Sequence, residues 1–202
     1  KKELIDENTN LNPQNPYAES KIRTEKFLFD NQDKFKFIIL RYFNVAGADK
    51  KMRSGQISKK STHLIKILSE VIVGKKDYIE IFGKDYDTPD GTAIRDYIHV
   101  SDLADIHVKV AKYLLEKLES KLFNCGYGNG FSVLDVINTA NNIYQNKIIY
   151  KFSNRRDGDV EKLISSNSKI LKHIDWKPKY NDLEEIINSS VMWEEKINAS
   201  NT

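Results

Sequence analysis

Residues 35–43 (FKFIILRYF) form an almost unbroken apolar run. Strands covered on both faces by helices have this composition, and they belong to parallel sheets. The run predicts a strand buried on both faces, left by a loop over Asn44, Val45, Ala46, Gly47 and Ala48. Ahead of it, Asn15 and Pro16 form a helix start, with asparagine as cap and proline at the first helical position, for a helix ending near Asn31. Behind it the pattern predicts a helix over 62–73 stopped by Gly74, a short strand over 79–82 and a turn-rich loop over 83–92. A strand end over 95–100 leads to a helix capped by Ser101 and reaching about Leu118. A strand over 122–125 precedes a loop marked by Gly126, Gly128 and Gly130. Ser132 with Asp135 resembles a capping box for a helix to Tyr144, followed by a strand over 148–152, a charged loop over 154–159 and a last helix over 183–196. The alternation of strands and helices predicts an α/β fold.

Composition narrows the function classes. The chain has 202 residues, 40% hydrophobic and 30% charged, with a net charge of +3. Nothing in that near balance argues for nucleic-acid or membrane binding. No apolar run approaches the ~18 residues of a membrane span, and the first residues have no signal-peptide core. One cysteine, Cys125, permits no internal disulfide and suits a reducing, cytoplasmic location as a core residue. His99 and His107 have no metal-ligand spacing around them. The three glycines at 126, 128 and 130 follow a strand but lack the spacing of a dinucleotide fingerprint, and read as a tight turn.

The candidate chemistry begins with Tyr17 and Lys21, a YxxxK pair that a helix presents on one face. An ammonium beside a phenol favours the phenolate, the form that takes a proton from a sugar hydroxyl. The pair is a weak signal alone, since Tyr113 and Lys117 repeat it on a later helix, where it reads as a surface pair. Context distinguishes Tyr17. The segment NPQNPYAESK over 12–21 is followed by LRYFNVAGA over 40–48, IFGKDYDTPDGT over 81–92 and RDYIHVSDLA over 95–104. This string resembles the UDP-glucose 4-epimerases, a branch of the extended short-chain dehydrogenase/reductase family, and the resemblance runs from about Asn12 to Trp193.

The resemblance implies the C-terminal part of an NAD-binding Rossmann-type fold over 1–48. It implies a smaller α/β sugar-nucleotide-binding domain mainly over 49–202, with some segments returning to the first sheet. It implies NAD as cofactor, UDP-galactose and UDP-glucose as substrates, epimerisation at C4 through a transient 4-keto sugar, and a homodimer to which the Tyr17–Lys21 helix contributes. Tyr17 matches the catalytic base and Lys21 its partner at the nicotinamide ribose, while Tyr42 matches a tyrosine near the cofactor. Asn44 matches a sugar-nucleotide contact, His63 and Leu64 replace an Asn-Leu pair there, and Ile81 with Phe82 match the uracil lining. Arg95, and Arg156 with Asp159, match the diphosphate and ribose contacts; arginine suits a diphosphate and a carboxylate suits ribose hydroxyls. Leu163 falls where residue size gates N-acetylated sugars.

Blander readings stand beside these. Arg95 could pair with Asp96 or Asp102, Arg155 and Arg156 could form a solvated turn, Asn44 could cap a turn, and Tyr42 and Phe82 could be core aromatics. The chain opens on Lys1 and contains neither the family's glycine-rich NAD turn nor its upstream serine or threonine. The expectation is a C-terminal portion that is inactive alone. Alternatives are an inactive remnant, a UDP-sugar-binding module, a UDP-N-acetylhexosamine 4-epimerase, or a related sugar-nucleotide dehydratase or decarboxylase.

Overall fold

Asn15 and Pro16 open the first helix as their chemistry dictates: the Asn15 side chain accepts the Ala18 N–H at 2.8 Å, and α1 runs Pro16–Asp30. The computed structural model describes residues 4–58, 60–145 and 148–200. No residue of α1 is buried. Strand β1, Ile38–Tyr42, starts three residues later than its apolar run. Phe37, just ahead of it, is buried instead by an edge-to-face contact with Phe29 at 5.3 Å. β1 is only half-buried, not enclosed on both faces, and among the described residues it has one strand neighbour, the parallel β5 (Lys121–Cys125).

The expected loop after β1 is a strand. The chain leaves β5 at Phe43 and continues as β2, Asn44–Ala46, which pairs in parallel with β4, Ile94–His99. The apolar run and the segment that follows it thus serve two sheets, and such a switch of partner is where α/β sheets form a crevice at the strand ends. Between them lie α2, Leu64–Ile72, and β3, Ile79–Phe82. Helix α3, Val100–Lys117, is capped by His99 rather than Ser101: the His99 ring accepts the Ser101 N–H. Strand β6, Gly130–Ser132, joins β4 antiparallel, and the Ser132–Asp135 capping box opens α4, Val133–Tyr144. Strand β7, Tyr150–Ser153, pairs in parallel with β3, and β8, Lys162–Leu163, in parallel with β4. Helices α5, Ser168–His173, and α6, Leu183–Ala199, complete the fold. β6, β8 and α5 have too few residues to show a period. The result is α/β with mostly parallel pairing.

Helix α6 closes the core. Ile186, Ile187 and Val191 are fully buried among Leu68, Ile98 and Phe123. It also carries a buried charge, Glu194, which takes Lys66 of α2 and, at 2.8 Å, Lys75 as partners.

Candidate active site

Strand β4 organises the site. Arg95 and Tyr97 stand two residues apart on it and so share a face. That face, with β2, the start of α2, β3 and the 154–159 loop, encloses a cavity of about 240 Å³. Its lining includes Asn44, His63, Leu64, Ile81, Phe82, Arg95, Arg156 and Asp159. These residues are spread over more than 110 positions of sequence, and the fold brings them to one place. Ile81 and Phe82 give it an apolar lining, and the Arg156 guanidinium stacks on the Phe82 ring at 3.7 Å. Arg95, also in the lining, faces Asp159 at 3.5 Å. Arg95 also donates to the Ile94 carbonyl at 2.9 Å. Asn44 lies opposite Tyr97 in the strand register, so it caps no turn. Tyr97 is a cavity residue that sequence reasoning did not name. Strand alternation from Arg95 was the signal that could have found it.

Neither Asp96 nor Asp102 pairs with Arg95. Both are buried anions held by hydrogen-bond donors. Asp96 accepts the Tyr127 N–H at 3.0 Å, the Gly128 N–H at 2.9 Å, and both the N–H and the O–H of Ser165 at 3.1 and 2.6 Å. Asp102 accepts the Tyr127 O–H at 2.6 Å and the N–H groups of Lys179 and Tyr180. Gly126 makes this possible, because a Cβ there would sit 2.5 Å from Asp96 Oδ2. Gly126 and Gly128 therefore wrap a carboxylate, Gly130 packs against Ile94 and Ile164, and none of the three lines the cavity. His99 is a satisfied core histidine: Nδ1 accepts from Ser101, so Nε2 carries the hydrogen and donates to Ser189 Oγ at 3.1 Å. Burial pushes its imidazole below the ordinary value. Burial also pushes the Cys125 thiol up to about 12, which keeps it inert.

Four of the residues named from sequence lie outside the cavity lining. Tyr17 is 72% exposed on α1, with Lys21 Nζ 5.1 Å from its ring centroid. The 154–159 loop nevertheless reaches the approach to this helix, since a Cβ on Gly158 would meet Gln14 at 3.1 Å. Tyr42 is half-exposed, and its hydroxyl meets His107 Nε2 at 2.6 Å. His107 Nδ1 donates to the Leu103 carbonyl, so Nε2 accepts and the Tyr42 O–H is the donor. Leu163 is the strand partner of Arg95, one register position from the site. The second YxxxK is a surface pair: Tyr113 donates to Glu119 at 3.1 Å. For a dinucleotide, Tyr17, Lys21 and Tyr42 offer hydroxyl and ammonium groups suited to a ribose. The amides of Tyr127 and Gly128, which could have met phosphate, are already given to Asp96. Among the described residues there is no metal-binding cluster, and no helix is long and apolar enough to cross a membrane.

Residues 1–126 match the NAD dependent epimerase/dehydratase family. The chain belongs to this family. A family relative, the UDP-glucose 4-epimerase of Azospirillum brasilense, is 44% identical over 190 residues, which is 93% of this chain and 55% of that protein. A solved UDP-glucose 4-epimerase from Stenotrophomonas maltophila, with bound NAD and formylated UDP-arabinopyranose, matches at TM-score 0.93 and 29% identity, over 97% of this chain and 59% of that one. The UDP-Glc/GlcNAc 4-epimerase of Campylobacter jejuni is 45% identical with a TM-score of 0.75, over 96% of this chain and 59% of that one. The chain thus spans little more than half the length of these relatives.

Proposed function

We propose that this chain carries the sugar-nucleotide site and the catalytic tyrosine of an NAD-dependent UDP-hexose 4-epimerase, acting on UDP-galactose and UDP-glucose. The observation that carries the reading is the cavity, where two arginines and one carboxylate stand at or beside an apolar slot in the arrangement a nucleoside diphosphate needs. Arg95 and Arg156 bind the diphosphate, Ile81 and Phe82 flank the uracil, and Asp159 accepts from the ribose. Asn44, His63 and Leu64 contact the rest of the sugar nucleotide. Tyr17 takes the proton of the C4 hydroxyl, and Lys21 holds the tyrosine and a ribose hydroxyl in place. NAD, when bound, supplies the hydride acceptor and donor at C4. Lys21 and Tyr42 hold its nicotinamide end, and its phosphates are bound by residues outside this chain.

In this reading residues 1–48 are the end of the NAD-binding domain and 49–202 mainly the sugar-nucleotide domain, with the parallel pairing of β5 on β1 as the returning segment. The unburied α1, with Phe27 61% exposed, is the surface of a homodimer. The lone buried Cys125 suits the cytoplasm. The second reading is a UDP-sugar-binding module without turnover, favoured by the occupied glycine-turn amides. Its substrates extend in this reading to N-acetylated sugars, as the Campylobacter jejuni relative is a UDP-Glc/GlcNAc 4-epimerase.

Titration calorimetry with UDP tests the site. The chain binds UDP, and Arg95→Ala and Arg156→Ala each weaken it about tenfold or more. Unchanged affinity in both variants, or no binding by the parent chain, overturns the reading. Turnover of UDP-galactose by this chain alone would remove the need for an outside NAD site.

A further inference from the structure

His63 stands where three cavities meet. It lines the cavity of about 240 Å³ that holds Arg95 and Arg156, a small pocket of about 30 Å³ beside α6, and a wider cleft of about 810 Å³ beside the start of α3. No other described residue lines all three. The first cavity is smaller than the ~300–1,000 Å³ of most ligand pockets, so a nucleotide filling it reaches every wall. The His63 ring is uncommitted. It is exposed, it makes no capping hydrogen bond to α2, and it has no hydrogen-bond partner among the described residues. The wider cleft gives it room to turn and a source of protons from water.

The charged groups around it are already engaged. In the segment before it, Asp49 pairs with Arg53 at 2.6 Å. On α2 and α6, Lys66 pairs with Glu194. On β3, Glu80 accepts the Ser153 O–H. Across the cavity, Arg156 lies on the Phe82 ring, and Arg95 meets Asp159 at 3.5 Å, beyond the ~2.7–2.9 Å of a charge-assisted hydrogen bond. Carboxylates ordinarily titrate below an imidazole, and guanidinium and ammonium groups above it. Burial pushes the Tyr97 phenol up, further from that range. Between pH 6 and 8 the imidazole is therefore the group in this lining whose charge changes. An anion beside an imidazole favours its protonated form. An asparagine at this place would donate a hydrogen bond and carry no charge, whereas an imidazolium supplies both.

We infer that His63 is a third cation of the diphosphate site, recruited by protonation: as a nucleoside diphosphate sugar engages Arg95 and Arg156, the imidazole takes one proton from water and donates an N–H to the phosphate that bears the sugar. This deepens, and rests on, the reading of the cavity as a nucleoside-diphosphate site. Binding is then coupled to proton uptake, and the sugar nucleotide is held more tightly as pH falls.

The test is titration calorimetry of the 202-residue chain with UDP-glucose at pH 6, 7 and 8, in buffers of different ionisation enthalpy. UDP-glucose is the probe because both its phosphates are diesters, whereas the terminal phosphate of UDP is a monoester that titrates near pH 6. The parent chain takes up protons on binding, and its affinity rises about tenfold from pH 8 to pH 6, the worth of one charge-assisted hydrogen bond. His63→Asn abolishes the uptake and flattens the affinity profile to less than about twofold; asparagine is a favoured helix cap, so the variant keeps α2. Melting at each pH separates binding from the acid loss of stability that His99 brings. Binding without proton uptake, or uptake that persists in His63→Asn, overturns the inference and leaves the sugar-nucleotide reading standing. No binding of UDP-glucose by the parent chain at any of the three pH values fails the reading of the cavity and the inference with it.

Discussion

Replacing Asp96 by asparagine removes one charge and one acceptor while keeping the shape, and it tests whether this carboxylate holds the site together. In the native chain Oδ1 accepts from Tyr127 N–H, and Oδ2 accepts from Gly128 N–H, Ser165 N–H and Ser165 O–H. Asparagine retains one oxygen. Its best placement keeps the three donors at Oδ2 and turns an NH₂ toward the Tyr127 N–H, leaving two buried donors facing each other. Each stranded donor costs about 1–3 kcal/mol, and the remaining bonds lose their charge assistance, so the expected loss is about 3–5 kcal/mol. Ser165→Ala is the graded control: it deletes one O–H and leaves three donors on an intact carboxylate, for about 1–2 kcal/mol. Urea unfolding followed by circular dichroism and by the fluorescence of buried Trp176 reads both. If Asp96→Asn costs no more than Ser165→Ala, the carboxylate is not the hub and the reasoning fails.

Two further outcomes follow from buried charges. Lys66→Met leaves buried Glu194 with Lys75 as its remaining cation and is expected to cost about 3–5 kcal/mol in denaturant unfolding, whereas Lys66→Met combined with Glu194→Leu recovers most of it; an additive double loss would refute the pairing. His99 is held below its ordinary value by burial, so the folded state binds its proton later than the unfolded state; stability is therefore full above about pH 6.5 and falls as pH drops below it, by up to about 1.4 kcal/mol per pH unit, and a flat stability profile between pH 7 and 5 would contradict this.

The sequence was most legible where one signal had one cause. Asn15–Pro16 and the Ser132–Asp135 box marked helix starts because a cap satisfies donors within three residues. It was least legible where tertiary pairing decides. β2, β6 and β8 have two or three residues each and exist as strands because β4 lies beside them. His99 displaced Ser101 as the cap because an imidazole nitrogen reaches the same N–H from the strand end. The two-sided burial expected of residues 35–43 failed since β1 has a single strand neighbour among the described residues and α1 buries none of its own side chains. The cavity residues were legible through the long motif rather than through local pattern, and Tyr97 was missed although it shares a strand face with Arg95.

That motif divides its labour in a way its letters do not reveal. In RDYIHVSD the residues at 95 and 97 line the cavity, while those at 96, 99 and 102 are buried and line no part of it. Asp96 fastens the Gly126–Gly128 turn and Ser165 to β4, and Asp102 fastens Lys179 and Tyr180 ahead of α6. His99 meets Ser189 on α6, and Ser189 also accepts the Ala48 N–H of the segment leaving β2. Each of these buried residues therefore ties β4, or the first turn of α3 that continues it, to an element that follows it in sequence, and the cavity residues inherit a fixed strand. An arginine is long and flexible, and holding it ready for a diphosphate depends on the rigidity of the backbone beneath it. The buried acids and the histidine provide that rigidity. A substitution at Asp96 should accordingly disturb Arg95 without touching ligand, so its damage to UDP binding should scale with its damage to stability.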